Sequence, residues 1–120
     1  MQPPKTGGLA SSVGGPYPPR VRIIAKKTLR SSWETHPQGE VARTPLESWH
    51  AEVRAASWNT PADVKAQYRE ASVLRGRRVV FNIAGNKYRL VVHINYGYQI
   101  VFVRFVGTHR EYDDIDVETI

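Results

Sequence analysis

Three β-rich runs separated by two short turns dominate the C-terminal half of the sequence and constrain its fold most strongly. The runs cover residues 77–83, 87–95 and 99–106, with turn residues at 84–86 and 96–98. Connections this short join antiparallel neighbours, because a parallel connection needs a crossover of about a dozen residues or more. The pattern therefore predicts an antiparallel meander of three strands.

Capping residues mark two helix starts in the N-terminal half. Thr44 precedes Pro45, and Glu47 follows three residues after the Thr. This is the pattern of a capping box, so we predict an N-cap at Thr44 and Pro45 at the first helical position. The same chemistry around Thr60 predicts a short helix that ends near Tyr68.

The remaining elements complete a predicted α+β fold. The β-branched run at residues 21–25 predicts a first strand, and residues 26–34 predict a helix that ends before His36. A chain of 120 residues has room for one core. We expect a small, mostly antiparallel sheet of about four strands with the N-terminal helices packed on one face. Residues 1–20 are rich in Pro, Gly and Ser and are expected to form a flexible tail, which leaves one domain at 21–120.

Composition narrows the class of protein. The absence of cysteine excludes disulfides and thiolate catalysis. No run of about 18 apolar residues and no secretory leader is recognisable, so we expect a cytoplasmic protein without a membrane partner. Residues 21–110 hold fifteen Lys and Arg against six Asp and Glu. This excess predicts a polyanionic partner, either nucleic acid or an acidic protein.

Alternation along the strands separates an apolar face from a cationic one. In the middle run Tyr88 and Leu90 point one way, and Lys87 and Arg89 point the other. If the helices cover the apolar face, the opposite face carries a basic platform. Its predicted members are Arg78, Asn82, Lys87, Arg89 and Arg104.

A segment rich in proton-transfer groups follows the last strand. Residues 107–113 read GTHREYD, and we predict them to be a loop in which His109 and Tyr112 lie at the edge of the platform. Histidine as a residue type donates or accepts protons near neutral pH. The neighbouring acids Asp113 and Asp114 lack the Gly and the terminal Glu of a calcium loop, so we predict no metal site and no cofactor.

Four ordered segments together resemble the HigB toxins of type II toxin-antitoxin systems, a branch of the RelE-like superfamily. They are residues 21–29, 58–65, 80–91 and 105–113, and the likeness covers about residues 21–120 in register. The resemblance implies a RelE-like fold and ribosome-dependent cleavage of mRNA. It also implies a HigA-like helix-turn-helix antitoxin as the neutralising partner. The toxin would bind DNA only as part of the complex with this antitoxin.

The resemblance also implies which residues work in the site. Lys87, Arg89, His109 and Tyr112 match the family's catalytic positions, with Asn82 and Arg104 in support. Arg78, Asn82 and Arg104 are the predicted RNA-binding residues. The chain departs from the better known RelE relatives at Asn82, where they carry lysines on the strand before the Gly turn, and at His109, where they carry arginine. The division of acid and base roles therefore does not transfer.

These residues predict a metal-independent endoribonuclease. The 2′-hydroxyl of RNA can serve as the nucleophile, so the protein has to align it, move protons and stabilise the charge on phosphorus. Arg89 and Lys87 would hold the scissile phosphate, while His109 and Tyr112 would handle the protons. The alternative is a non-catalytic module that binds RNA or the ribosome through the same face and blocks translation.

Overall fold

The computed structural model describes residues 20–120, which form one mixed sheet and four helices; residues 1–19, most of the predicted tail, lie outside the described part. The elements follow in chain order: β1 (Arg22–Ile24), α1 (Lys26–Thr35), α2 (Glu40–Arg54), α3 (Pro61–Gln67), β2 (Ser72–Val73), β3 (Arg78–Ile83), β4 (Tyr88–Asn95), β5 (Ile100–Thr108) and α4 (His109–Asp113). None of the helices in this part of the chain is both long and apolar enough to cross a bilayer.

The sheet confirms the predicted meander and adds two features. Its strand order is β1-β5-β4-β3-β2, and the pairs β3–β4 and β4–β5 are antiparallel. β1 pairs with β5 in parallel, so the sheet is mixed. β2 was not predicted, because two residues are too few to show an alternating pattern.

The predicted apolar side of β4 faces the core. Tyr88, Leu90, Val92 and Ile94 are all buried, and they belong to one hydrophobic cluster with residues of the three N-terminal helices. α1 contacts β5, and α2 contacts β1 and β3. The helices therefore cover one face of the sheet, as predicted, and we call the opposite face the outer face.

The predicted start of α2 is wrong, since the helix begins four residues earlier than the Thr44 cap. It starts at Glu40, and Pro45 lies inside it. Ala42 in the added turn is 1% exposed and belongs to the core, which favours continuing the helix toward Gly39. The N–H that Pro45 lacks would have bonded the carbonyl of Val41. Val41 is 48% exposed, so water can take that place.

The predicted start of α3 is confirmed, whereas the loop predicted at residues 107–113 is wrong. Thr60 caps α3 as predicted: its Oγ1 accepts from the Asp63 N–H at 3.3 Å, and the Asp63 carboxylate accepts from the Thr60 N–H at 3.1 Å. The loop predicted at 107–113 is instead the end of β5 followed by α4. An equivalent capping box stabilises α4, as described below.

A β-bulge decides which residues of β5 reach the outer face. Val91 lies opposite Phe105 while Val92 lies opposite Val103, so Arg104 has no partner across β4. The extra residue shifts the alternation by one. Phe102 and Phe105 consequently share the outer face although they are three residues apart.

Candidate active site

α4 fixes the positions of His109 and Tyr112. The Thr108 side chain accepts from the Glu111 N–H at 3.2 Å, and the Glu111 carboxylate accepts from the Thr108 N–H at 2.8 Å. This capping box starts the helical turn directly at the end of β5. Residues three apart lie on the same side of a helix. His109 and Tyr112 are therefore neighbours on one turn.

Arg89 on β4 lies beside this turn. Its guanidinium carbon is 5.9 Å from the centroid of the Tyr112 ring. Nη1 of Arg89 donates to the side-chain oxygen of Asn86 at 2.6 Å, which orients the guanidinium from the β3–β4 turn. Asn82 is the partner of Arg89 on β3 in the strand register. Asn86 is a site residue that the sequence reading missed, since an Asn next to a Gly signals only a turn.

A glycine next to Arg89 lets neighbouring side chains pack closely against the strand. Gly107 on β5 pairs with Arg89 on β4. A Cβ at this position would lie 2.5 Å from the Phe105 ring and 2.8 Å from the Glu111 carboxylate, so a side chain could not be added without displacing them. The ring of Phe105 in turn packs at 6.5 Å against Tyr112. Gly107 thus allows α4 to fold closely against the outer face.

His109 is half exposed, and its ring has one long polar contact. Its Nδ1 lies 3.4 Å from a carboxylate oxygen of Asp113, which leaves the other ring nitrogen available to a ligand. The main-chain N–H of His109 donates to the carbonyl of Lys87 at 3.3 Å. Lys87 itself lies in the turn before β4, one residue outside the strand that was predicted to contain it, and its side chain is exposed.

A histidine from the opposite end of the chain supports α4. The Nδ1 of His36 lies 2.7 Å from the Ser32 carbonyl oxygen, and its Nε2 lies 2.9 Å from the Glu111 carboxylate. The hydrogen bond to the Ser32 carbonyl and the nearby Glu111 raise the pKa of His36. The Thr108 N–H holds the pKa of Glu111 below its usual value. His36 lies at the C-terminal end of α1 and also contacts the site through Glu111.

The structure divides the predicted platform into two groups. Asn82 and Arg89 form one row with Gly107 at the α4 end of the outer face. Arg78 forms another row with His93 and Phe102 at the opposite end, where Arg104 also lies. Between them runs an apolar row of Val80, Val91 and Phe105. We call the first group, together with α4, the catalytic cluster, and its members are Asn82, Lys87, Arg89, His109 and Tyr112.

The catalytic cluster combines two cations, one amide, one imidazole and one phenol on the outer face. Arg89 forms no ion pair with a carboxylate of residues 20–120. An unpaired guanidinium suits a phosphate, which it can bind through two parallel hydrogen bonds. Within the same part of the chain, no three His, Asp or Glu side chains come close enough together to hold a metal ion.

Comparison with known proteins places the chain among characterised relatives. The model of the HigB toxin family, the RelE-like toxic component of a toxin-antitoxin system, matches residues 42–115. The mRNA interferase toxin HigB of Escherichia coli (strain K12) is 27% identical over 95 residues, which cover 78% of this chain and 88% of the relative. The mRNA interferase HigB of Escherichia coli O6:H1 is 23% identical over 97 residues, which cover 79% and 91%. The corresponding protein of Shigella flexneri is 27% identical over 95 residues.

The mixed sheet, the helices on one face and the cationic outer face define a small RelE-like toxin. The family match covers more than half of the chain, including β3, β4, β5 and α4. The chain belongs to the HigB toxin family, which confirms the resemblance found in the sequence.

Proposed function

We propose that this chain is the toxin of a type II toxin-antitoxin system and a metal-independent endoribonuclease that cleaves mRNA on the ribosome. The observation that carries the proposal is the position of Arg89 beside Tyr112, with His109 on the same helical turn. The relatives named mRNA interferase support the choice of mRNA as substrate. No cofactor is required by the chemistry set out below.

The cleavage step uses the RNA's own 2′-hydroxyl. This oxygen loses its proton and attacks the adjacent phosphorus, while the 5′-oxygen of the next nucleotide leaves and gains a proton, which yields a 2′,3′-cyclic phosphate and a 5′-hydroxyl. Arg89 stabilises the charge on the phosphoryl oxygens, and Lys87 adds a second cation. His109 and Tyr112 transfer or position the two protons. Asn82 binds RNA next to Arg89.

The proposed partners follow from the same assignment. A HigA-like helix-turn-helix antitoxin neutralises the toxin, and DNA is bound only through that complex. The ribosome presents the message to a site whose His109 and Tyr112 side chains are at least partly exposed. The protein therefore acts in the cytoplasm, where translation takes place.

Two variants test whether the catalytic cluster performs the chemistry. His109→Ala and Tyr112→Phe are each expected to slow single-turnover cleavage of a ribosome-bound message by about 10² to 10⁴-fold, the usual contribution of a general acid or base. His50→Ala on α2 and Tyr98→Phe in the exposed β4–β5 turn are matched controls and should cleave at the wild-type rate. Primer extension locates the cut, and end analysis identifies the cyclic phosphate.

Substrate changes separate the proposal from its alternatives. A 2′-deoxynucleotide at the cut site should abolish cleavage. When sulfur replaces the non-bridging phosphoryl oxygens, Mn²⁺ or Cd²⁺ should not restore the cleavage rate. Rescue by a thiophilic metal would contradict the metal-independent mechanism. If the protein binds the ribosome and arrests translation without cutting the message, it is a non-catalytic module and not a nuclease.

A further inference from the structure

A second cationic surface lies on the outer face at the end away from α4. It is built on the row that joins Arg78, His93 and Phe102 across β3, β4 and β5. Arg104, the unpaired residue of the bulge, places its guanidinium carbon 5.3 Å from the centroid of the Phe102 ring. We call His93, Phe102 and Arg104 the aromatic patch.

The side chains of the aromatic patch form a continuous stack. The rings of His93 and Phe102 have centroids 6.1 Å apart and planes inclined by 29°. Burial and the nearby Arg78, Arg104 and Arg77 lower the pKa of His93, which disfavours a positive charge on the imidazole. The stack ends in the exposed Arg104. Rings and guanidinium planes together are surfaces on which nucleic acid bases stack.

Two of the three arginines around the aromatic patch form no ion pair within residues 20–120. Arg77 and Arg104 have no carboxylate within ion-pair distance in this part of the chain. Arg78 is engaged, since it donates two hydrogen bonds to the main-chain oxygen of Ile120, at 2.5 and 3.0 Å. Like charges held this close repel one another, and a bound polyanion relieves that repulsion.

The aromatic patch is separate from the catalytic cluster but within reach of the same RNA strand. His93 and Arg89 are four residues apart on β4, which corresponds to about 13 Å along a strand. The row between them carries Val80, Val91 and Phe105, of which Val80 and Val91 are buried. At this spacing, an RNA whose scissile phosphate lies at the catalytic cluster would meet the aromatic patch with a neighbouring nucleotide.

We propose that the aromatic patch is a second RNA-binding subsite, which stacks a base flanking the cut on Phe102 and Arg104 and binds its phosphate through Arg104. This inference rests on the proposed function, since it assigns the patch to the same RNA that is cleaved. It predicts that the patch sets the affinity for RNA and leaves the chemical step alone.

The test measures binding and cleavage on the same variants. The probe is a fluorescein-labelled, 2′-O-methylated oligoribonucleotide that cannot be cleaved, titrated by anisotropy at several salt concentrations. Phe102→Leu removes the ring, Phe102→Tyr keeps it, and Arg104→Gln removes the charge. Arg30→Gln on the exposed surface of α1 is the matched control for loss of an arginine. Thermal unfolding of each variant shows that it is folded.

Loss of the Phe102 ring and loss of the Arg104 charge should change different measured quantities, which a purely structural role would not produce. Phe102→Leu is expected to weaken binding about tenfold, the equivalent of one base–aromatic stack, at every salt concentration. Phe102→Tyr should bind like the wild type. Arg104→Gln should reduce the slope of log K against log salt by about 0.7, which is the loss of one phosphate contact on a single strand. Arg30→Gln should change neither quantity.

Cleavage on the ribosome completes the test. Phe102→Leu and Arg104→Gln should each need more toxin for half-maximal cleavage yet cut at the wild-type rate when saturating, whereas Phe102→Tyr should match the wild type in both. If Phe102→Leu and Arg104→Gln bind the probe like the wild type while Arg89→Gln weakens binding, the second subsite is wrong and the proposed nuclease stands. If the wild type cleaves no message at all, the proposed function fails, and the inference fails with it.

Discussion

His36 lies between two oxygen atoms that can only accept hydrogen bonds. The Ser32 carbonyl faces Nδ1 at 2.7 Å, and the Glu111 carboxylate faces Nε2 at 2.9 Å. A neutral imidazole has one donor nitrogen and one acceptor nitrogen, so it can satisfy only one of these contacts. Both are satisfied when the ring is protonated. The raised pKa of His36 favours this protonated form, which would join the end of α1 to α4 through both contacts.

This ion pair predicts a pH-dependent contribution to stability. The pKa of His36 is raised above its ordinary value of 6.5, so its contribution is complete below pH 6.5 and is lost as the pH rises through the folded value. The pKa of Glu111 is lowered from 4.5, so its contribution is lost as the pH falls through the lower, folded value. We expect His36→Ala to reduce the free energy of unfolding most between about pH 4.5 and 6.5, measured by urea denaturation, and less at pH 9.

His50 provides a control of opposite sign. Burial and the nearby Lys26 and Arg54 lower its pKa, so its neutral form is favoured in the fold and stability falls as the pH drops below 6.5. His50→Ala should therefore lessen the loss of stability at low pH. A His36→Ala effect that is the same at pH 6 and pH 9 would show that His36 is not held as an imidazolium.

Individual residues of the site differ in how far the sequence reveals them. Arg89, His109 and Tyr112 could be singled out because their own chemistry and their strand or edge position point to phosphate binding and proton transfer. His36 could not, because it contacts Glu111 across 75 residues of sequence and carries no local signal for that contact. Asn86 was hidden by its ordinary role as a turn residue.

α4 is a single helical turn whose order depends on its cap. It has five residues and no buried side chain, so packing contributes little to holding it. The reciprocal hydrogen bonds of Thr108 and Glu111 satisfy donors that would otherwise be free at its first turn. Because His109 and Tyr112 both lie on this turn, its order limits the order of the catalytic cluster.

Removing the cap should thus affect cleavage more than stability. Thr108→Ala is expected to cost about 1 kcal/mol of unfolding free energy, typical of an N-cap. It should also lower the single-turnover cleavage rate on the ribosome, because the two proton-transfer groups lose their fixed positions. Thr108→Ser keeps the capping oxygen and should behave like the wild type. A Thr108→Ala protein that cleaves at the wild-type rate would mean that α4 is held by other contacts.

Whole elements were predictable where a local pattern extends over enough residues. The strands β3, β4 and β5 are β-rich runs of six to nine residues bounded by turn residues, and α3 has a complete capping box. α4 has the same capping signal at Thr108 and Glu111, but five residues show no helical period. The start of α2 was misplaced because the burial of Ala42, a tertiary effect, outweighs the signal at Pro45.

At the scale of the whole molecule, the parallel pairing of β1 with β5 connects the two halves of the chain. It places α1 against β5 and thereby brings His36 to the end of the sheet where α4 begins. A short strand gives no sign of its partner in the sequence, so this pairing could not be predicted. The outer face that results has two polar ends separated by an apolar row.

The last prediction concerns the independence of these two ends. Side chains more than about 7–10 Å apart that share no partner usually have additive effects. We expect Arg89→Gln and Arg104→Gln each to slow cleavage at subsaturating toxin. The product of the two factors should equal the effect of the double variant to within about twofold. Arg89 and Tyr112 are in contact, with the guanidinium carbon 5.9 Å from the ring, so Arg89→Gln combined with Tyr112→Phe should fall short of the product of the single effects. Strong coupling between Arg89 and Arg104 would instead mean that both bind one phosphate, and the outer face would then hold one site rather than two.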